Sequence, residues 1–215
     1  MTYQECKNQV LKLLNQYTIA GSPVATTYNN QSDYIQRIPS LINDAMMEIS
    51  TTVRKIEMHY TLSNKLDPVS SPEEYRFQMP ANFFQFKSGD SFLAFQKTQH
   101  FQKYVYRGKD YVILPKELVD DDVPIVFYYR YPVLLPEDDA SIEPDTELDN
   151  TLEVHRAIPY YVAGMLAMHD DPFLASSLMN AYEDKLAKME PQITAETAPV
   201  QDAYAFYHYH NDYDC

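Results

Sequence analysis

The chain has 215 residues and a formal net charge of −14, and its composition includes 19 Tyr, 14 Pro, 4 Gly and no Trp. The small number of glycines argues against a phosphate-binding loop, because such loops need the close backbone approach that glycine allows. The negative charge repels nucleic-acid phosphates and argues against a protein that reads DNA sequence.

The acidic residues are concentrated in one interval, which contains a single basic residue, Arg130. Its acids are Glu117, Asp120, Asp121, Asp122, Glu137, Asp138, Asp139, Glu143, Asp145, Glu147 and Asp149. An acidic surface of this kind is compatible with DNA that must slide without sticking. The plainer interpretation is a solvated loop that keeps the protein soluble.

The positions of the cysteines and the lengths of the apolar runs indicate the cellular compartment. Cys6 and Cys215 stand at opposite ends of the chain, so neither a zinc ribbon nor a disulfide framework is expected. The first residues contain no apolar run flanked by basic residues, which argues against a secretory signal. No segment approaches the ~20 apolar residues that span a bilayer. We therefore expect a soluble protein, made in a reducing cytoplasm, without a membrane partner.

Two amphipathic helices are predicted in residues 1–56. The first runs from Thr2 to about Tyr17, and Glu5 stands at the spacing that a capping box with Thr2 requires. The second is predicted over residues 32–56, because apolar residues recur there at every third or fourth position. Pro39 lies inside this second helix, where a proline removes a hydrogen bond, so we expect a kink.

Residues 57–135 show the pattern of short strands. Runs such as EYRFQMP, NFFQFKS and SFLAFQK are rich in aromatic and β-branched residues and are separated by turn residues, which predicts an antiparallel β unit of about five to seven strands. The run KYVYRGKDYVILP predicts a hairpin whose loop contains residues 107–110. The last run, PIVFYYRYP, is bounded by Pro124 and Pro132, positions that a strand end tolerates.

Residues 136–150 are acidic and contain prolines, which predicts a linker. Residues 151–189 predict two helices joined by the sequence HDDP. Pro159 falls inside the first of them and is expected to bend it, and Asn150 or Thr151 can cap its start.

The second of these helices is predicted to start with Asp171 as the capping residue and Pro172 at the first helical position. Phe173 is assigned to its apolar stripe. Residues 190–215 are polar and then aromatic without helical periodicity, which predicts an extended tail that orders on a partner.

The order of these elements predicts an α+β fold. Two N-terminal and two C-terminal helices form a four-helix bundle, and an antiparallel β domain is inserted between the two pairs. The predicted organisation is an N-terminal helical hairpin at 1–56, a β insertion at 57–135, an acidic linker at 136–150, a C-terminal helical hairpin at 151–189 and an extended tail at 190–215.

The sequence offers little chemistry. His208, His210 and Asp212 are weak metal candidates, because a floppy tail supplies no preformed geometry around a metal. The acidic clusters lack the spaced ligands and glycine of an EF-hand loop. No GxSxG or HExxH motif occurs, so we expect no enzyme activity, no resident metal and no cofactor.

Three stretches carry a recognisable pattern: HRAIPYYVAGMLAMHDDPFLASSLMNAYEDKLAKM, the β exit PIVFYYRYPVLL and the run YRFQMPANFFQF. The first resembles a segment common near the C-terminus of the head-to-tail connector proteins (adaptor, or tail tubular A-like) of tailed bacteriophages, and the other two resemble strands of that family. The matching residues are Ala157, Ile158, Pro159, Tyr160, Tyr161, Val162, Ala163, Asp170, Asp171, Pro172, Asn180, Tyr182, Glu183, Tyr128, Tyr129, Pro132, Leu135, Pro80 and Phe83 or Phe84. The aromatic tail after Pro199 departs from the family pattern.

The resemblance implies a structural virion protein in the neck between capsid and tail, made in the host bacterium's cytoplasm. It implies a homo-oligomeric ring, usually of twelve copies, that docks under the portal protein, receives a tail or nozzle protein and lets double-stranded DNA pass without sequence-specific binding. The candidate contacts with partners or neighbouring copies are Tyr204, Phe206, Tyr207, Tyr209, Tyr128 and Arg130. The candidate lumen-facing acids are Asp120, Asp121, Asp122, Asp138 and Asp139.

Two other functions remain open from the sequence. The Tyr-rich strands could form a glycan-binding or tail accessory module, which predicts exposed aromatic rings on one sheet face. In a small β unit, such residues more often belong to the core. A metal-dependent enzyme that uses the histidine-rich tail is the third possibility.

Overall fold

A computed structural model describes residues 1–14, 30–62, 65–66, 74–86, 102–106, 109–116 and 125–189. Within these residues the fold is α+β. The chain divides into two compact units. The helical unit contains the described residues of 1–56 and 130–189, and the strand unit contains the described residues of 57–129. The boundary after residue 129 is earlier than the predicted boundary at 135.

The helices of the described residues are α1 Tyr3–Leu13, α2 Asn30–Thr52, α3 Leu152–His155, α4 Ile158–Ala167 and α5 Pro172–Ala187, with a short 3₁₀ turn at Asp139–Ser141. The capping box of α1 is confirmed. The Thr2 hydroxyl accepts from the N–H of Glu5 at 3.2 Å, and the Glu5 carboxylate accepts from the N–H of Thr2 at 3.0 Å. These two bonds satisfy N–H groups that the first helical turn leaves without partners.

The apolar stripe of α2 is confirmed as core, and its best-buried members are Ile38, Ile42, Ala45, Met46 and Ile49. Pro39 lies inside α2, which continues past it, so the kink stays a prediction. The helix ends at Thr52 rather than near Ile56, which begins a strand. The hydroxyls of Thr51 and Thr52 donate to carbonyls of the preceding turn. Such side-chain bonds to the backbone compete with the backbone hydrogen bonds that would continue the helix.

The predicted helix around Pro159 is divided into α3 and α4, with Arg156 and Ala157 between them in the αR conformation, and the bend expected at Pro159 stays a prediction. Helix α3 ends at His155, and the N–H of Ala157 donates to the Val154 carbonyl at 2.9 Å in a tight turn. Helix α4 then begins, with Pro159 in its first turn. A proline there loses nothing, because the first N–H groups of a helix have no intrahelical partner.

The caps of the C-terminal helices are partly as predicted. Thr151 is the N-cap of α3 but makes no side-chain cap bond; instead, the Asn150 side-chain oxygen accepts from the N–H of Thr151 at 2.8 Å. Asp171 caps α5 by accepting from the N–H of Leu174 at 3.0 Å, and Pro172 opens the helix. The structure thus confirms the predicted start of α5.

The described strands are β1 Ile56–Thr61, β2 Lys65–Leu66, β3 Glu74–Gln78, β4 Phe83–Phe86, β5 Gln102–Tyr106, β6 Lys109–Pro115 and β7 Ile125–Arg130. They form two sheets, a three-stranded one in the order β1-β7-β4 and a four-stranded one in the order β2-β3-β6-β5. All pairs of the four-stranded sheet are antiparallel. The run SFLAFQK lies outside the described residues.

The hairpin of β5 and β6 is confirmed, with a tighter connection than predicted. Tyr106 pairs with Lys109, and Val105 pairs with Asp110, so Lys109 and Asp110 belong to β6 rather than to the loop. The two sheets share one core within the strand unit. Its buried residues are Leu62, Phe77, Met79, Phe83, Val112, Leu114, Val126 and Tyr128.

The helical unit has its own core, at the centre of which lies α4. This helix packs against α1, α2 and α5. Its approach to α5 is close at Gly164, where a Cβ atom would lie 2.9 Å from the sulfur of Met179. The completely buried residues of the unit include Cys6, Val10, Ile38, Ile42, Met46, Ile158, Val162 and Ala163. No described helix is long and apolar enough to cross a membrane.

Residues 136–150, named here the acidic segment, are packed into the helical unit and are not a free linker. Ile142 and Leu148 are buried in the core. The N–H of Tyr3 donates to the Thr146 carbonyl at 2.7 Å, and the N–H of Leu148 donates to the Met1 carbonyl at 3.1 Å. The apolar residues at these positions give the acidic segment a buried face that composition alone conceals.

His155 joins the first residue to the acidic segment from a buried position. Its Nδ1 lies 3.0 Å from the α-ammonium of Met1, and its Nε2 lies 3.0 Å from the Leu148 carbonyl. A carbonyl only accepts and an ammonium only donates, so this geometry requires a neutral imidazole protonated at Nε2. Burial, and then the nearby ammonium charge, lower the pKa of His155 below its usual 6.5.

We expect acid to destabilise the helical unit through His155. Because the folded pKa lies below the unfolded value of 6.5, the unfolded state binds more protons as the pH falls below 6.5. The stabilisation is therefore complete above that value and decreases toward the folded pKa. Urea unfolding at stepped pH should show this decrease in the wild type and a smaller one in His155→Gln. The exposed His169, changed to Gln, serves as the control; equal pH slopes in all three proteins would contradict the assignment.

Candidate interaction surfaces

Most of the partner-contact residues predicted from sequence lie outside the described part of the chain. These are Tyr204, Phe206, Tyr207 and Tyr209, together with the weak metal candidates His208, His210 and Asp212 and the acids Asp120, Asp121 and Asp122. The described candidates are Tyr128, Arg130, Asp138 and Asp139. Among the described residues, no cluster of three His, Cys, Asp or Glu side chains could hold a metal ion.

Tyr128 is a core residue, so its assignment to a partner contact is wrong. The side chain is 3% exposed. Its ring lies 5.7 Å from that of Phe83, centroid to centroid, and its hydroxyl donates to the Asn82 side-chain oxygen at 3.4 Å. Side chains alternate along a strand, so Tyr128 and Val126 share one face of β7, and that face is buried.

Arg130 is engaged within the helical unit, which corrects its assignment as a partner contact. Its guanidinium donates to both carboxylate oxygens of Asp149, at 2.5 and 2.7 Å. The N–H of Val133 donates to the same carboxylate at 2.6 Å. The Arg130 bond, followed by the Val133 bond, holds the pKa of Asp149 below its usual value, against the opposing effect of burial. A bidentate pair of this kind fixes both direction and distance.

The two described candidates for lumen-facing acids differ. Asp138 is exposed and caps the 3₁₀ turn, accepting from the N–H of Ala140 at 3.2 Å. Asp139 accepts from the Lys7 ammonium at 2.6 and 2.8 Å and from the Tyr3 hydroxyl. Because Lys7 neutralises it, Asp139 presents little free charge, and its assignment to a lumen stays a prediction.

The acidic segment nevertheless keeps a set of exposed charges on an anchored backbone. Its exposed acids are Glu137, Asp138, Glu143, Asp145 and Glu147. Their neighbours Ile142 and Leu148 are buried, so the backbone that carries these charges is held in place. The segment is therefore a fixed negative surface and not a mobile acidic loop.

A second feature is an extended stretch, residues 131–136, named here the strap. Asn43 of α2 grips it with two bonds: its side-chain oxygen accepts from the N–H of Leu135 at 2.8 Å, and its side-chain nitrogen donates to the Leu135 carbonyl at 2.9 Å. Leu135 is buried, whereas the adjacent Val133 and Leu134 are 64% and 48% exposed. The strap thus presents two apolar side chains from a backbone that does not need them for its own anchoring.

Leu152 and Arg156 are further exposed side chains, which lie close in the chain to the residue that binds the strap. Leu152 is 66% exposed and follows Asp149, which binds the strap through Val133, by three residues, or about 10 Å of extended chain. Arg156 is exposed and stands four residues after Leu152, just beyond α3. The strap patch is defined here as Val133, Leu134, Leu152 and Arg156.

The turn between α4 and α5 carries a second apolar surface. Phe173 is 88% exposed, and Met168 is 46% exposed. Asp170 and Asp171 flank them and are also exposed. The hydroxyl of Tyr34 in α2 donates to Asp170, which ties the turn to α2. Residues 168–173 are called the hairpin tip below.

The exposure of Phe173 corrects its assignment to the buried stripe of α5. The residues three and four positions later, on the same side of the helix, are Ser176 and Ser177, both exposed. A core-facing residue would have apolar neighbours at that spacing, as Leu174 has in Leu178. The sequence therefore held a signal for the exposure of Phe173, whereas the exposure of Val133, Leu134 and Leu152 follows from long-range anchoring.

Leu152 of the strap patch and Met168 of the hairpin tip stand at opposite ends of α4. Leu152 precedes this helix and Met168 follows it, and ten residues of α-helix span about 15 Å. Two separate sets of exposed apolar side chains are therefore present on one unit.

An aromatic glycan platform finds no support in the described part of the strand unit. The rings of Phe77, Phe83, Tyr111, Tyr128 and Tyr129 are buried. The remaining Tyr and Phe side chains whose burial is described in this unit are half-buried, and none is exposed.

A comparison of the sequence with protein-family models gives no match, and a search of curated proteins gives none either.

The grip of Asn43 on the strap is directly testable. We expect Asn43→Ala to lower the free energy of unfolding by about 2 kcal/mol, because it leaves the N–H and carbonyl of Leu135 without their partners. Asn43→Asp should also destabilise, since a carboxylate oxygen would then face the Leu135 carbonyl. Urea denaturation measures both, with the exposed Asn180→Ala as control. Unchanged stability in both Asn43 variants would show that the strap is held by other contacts.

Proposed function

We propose that the protein is a ring-forming head-to-tail connector of a tailed bacteriophage. In this proposal, it is a structural component of the virion neck that docks under the portal protein, joins it to a tail or nozzle protein and lets double-stranded DNA pass through its lumen. The observation that carries the proposal is the presence of two different apolar surfaces, the strap patch and the hairpin tip, at opposite ends of α4.

Two unlike surfaces favour a ring over a symmetric dimer. A two-fold dimer uses one self-complementary patch, whereas a head-to-tail contact joins one patch to a different one and closes into a ring when the rotation allows. Exposed Phe, Leu and Val side chains lose contact with water in such an interface, and the favourable free energy of this burial drives association.

The proposed subunit is a four-helix bundle with a β insertion. In it, α1, α2, the pair α3 and α4, and α5 form the bundle, and buried residues from these helices in one core support that arrangement. The strand unit is inserted between α2 and α3 in chain order. Residues 190–215 would add an extended arm that docks on a neighbouring copy or on the portal protein.

The acidic segment supplies a second line of support. A connector has to let DNA move through it without retaining it, and a fixed negative surface repels the phosphate backbone. The exposed acids Glu137, Glu143 and Asp145 lie on an anchored backbone, so their field has a constant position in each subunit. Repeated around a ring, they would line a channel with negative charge.

We expect rings, or an added layer on the portal, in negative-stain electron microscopy of the protein mixed with the portal protein encoded in the same genome. The protein alone serves as the comparison, because some rings assemble only on a template. Monomers in both samples, at concentrations that saturate the portal, would overturn the proposal.

A charge-reversal variant tests the proposed lumen. Wild-type rings should not retain a short DNA duplex, whereas rings with lysines at three acidic-segment positions should retain it with an affinity that falls steeply with salt. The substitutions are Glu137→Lys, Glu143→Lys and Asp145→Lys. A charge-matched control carries Asp33→Lys, Glu183→Lys and Asp184→Lys on exposed helical positions. Equal DNA retention by both variants would show that the acidic segment does not face the channel.

A further inference from the structure

We infer that the hairpin tip of one copy docks on the strap patch of a second copy, with Phe173 as the inserted side chain. This inference rests on the proposed ring and names the two surfaces that would join its subunits. The partner in this contact is another molecule of the same chain.

The two surfaces are complementary in their apolar groups. Phe173 projects almost completely into solvent, and the strap patch offers the aliphatic side chains of Val133, Leu134 and Leu152. A phenyl ring buries a large apolar area when it enters an aliphatic surface. Folding of the single chain leaves these groups in water, so only association can remove them.

The two surfaces also differ in charge. On the strap patch, Arg156 makes no ion pair within the described residues, while Arg54 pairs with Glu153 at 3.5 Å and Arg130 with Asp149. Arg156 is therefore a basic group of the patch that makes no ion pair within the described residues, while the exposed acids Glu137 and Asp138 follow the strap in the chain.

On the hairpin tip, Asp170 and Asp171 are exposed, and the one charged residue of α2 that acts on Tyr34, the partner of Asp170, is Arg37. The tip is therefore negative. Two tips would repel each other, whereas Arg156 of a strap patch attracts the carboxylates of a tip.

Both surfaces are held rigid before they meet. The cap bond from Leu174 to Asp171 and the Tyr34–Asp170 bond fix the first turn of α5. The bonds of Asn43 and Asp149 fix the strap. Because little backbone freedom remains to be lost, association costs less entropy than docking of a flexible loop would.

The separation of the surfaces selects a second copy. The length of α4, about 15 Å, keeps the tip of one molecule away from its own strap patch. Each copy then offers a free tip at one end and a free patch at the other. A stable interface buries roughly 800 Å² per partner, so these residues act as the central anchor of a larger contact.

Cross-linking tests the contact directly. The chain with Leu152→Cys and Phe173→Cys, in a background that carries Cys215→Ser, is assembled on the portal protein and treated with a short bismaleimide; Cys6 is fully buried and does not compete. We expect a ladder of dimers, trimers and larger species, because each link joins one copy to the next. The matched control replaces Leu152→Cys by Glu143→Cys on the exposed acidic segment and should give no ladder.

Substitutions supply a second measure of the same contact. We expect Phe173→Ala and Arg156→Gln each to raise the concentration needed for half-assembly, Phe173→Ala by at least about tenfold. The controls Asn180→Ala and Lys188→Gln change exposed positions of α5 and its end and should leave that concentration unchanged. Circular dichroism confirms that the variants fold, since Phe173 contributes almost nothing to the core.

The outcomes separate this inference from the proposed function. Rings on the portal without a cross-linked ladder, and with unaltered assembly of Phe173→Ala, would overturn the tip-to-patch contact and leave the connector function standing. Absence of any assembly with the portal would overturn both. A ladder with the Leu152–Phe173 pair, and none with the control pair, would establish the contact.

Discussion

The architecture of the helical unit depends on how it holds the acidic segment against its core. Seven acidic side chains within this short stretch repel one another, and a chain of that composition alone would stay solvated. Burial of Ile142 and Leu148, together with the backbone bonds to Met1 and Tyr3, offsets that repulsion. Lys7 and Arg130 then neutralise the two most enclosed acids, Asp139 and Asp149. The remaining acids are left on a fixed surface.

Asp149 connects the acidic segment to the strap. Asp149 binds both Arg130 and the backbone of Val133, so the ion pair that holds the acidic segment also holds the strap. Once the backbone is fixed by polar bonds, Val133 and Leu134 are free to face outward. Exposed apolar side chains on a rigid, polar-anchored backbone are typical of a surface that meets another protein.

Local features of the fold could be predicted from the sequence because the residues that define them are close in the chain. The Thr2–Glu5 box, the Asp171 cap and the stripe of α2 each follow from spacing within a few turns. The sequence predicts Pro159 inside a helix, where its missing N–H costs a hydrogen bond, whereas it lies in the first turn of α4, where that N–H would have no helical partner. The bond from Ala157 to Val154, which decides between them, cannot be read from the residue types.

The candidate surfaces were harder to predict because they depend on contacts between distant residues. The sequence does not show that Arg130 pairs with Asp149. It also does not show that Asn43 binds the backbone of Leu135, which lies 92 positions away. Residues 190–215, where the sequence places most partner contacts, lie outside the described part of the chain.

Charge also limits how copies of this chain can meet. At −14 per chain, close approach of neighbours is opposed by repulsion, and the helical unit uses Lys7, Arg54 and Arg130 in pairs of its own. A contact between copies therefore has to gain its free energy from apolar burial and place any attraction where a basic group is still available. Arg156, exposed and four residues after Leu152, is such a group, and the exposed Asp170 and Asp171 next to Phe173 carry the opposite charge.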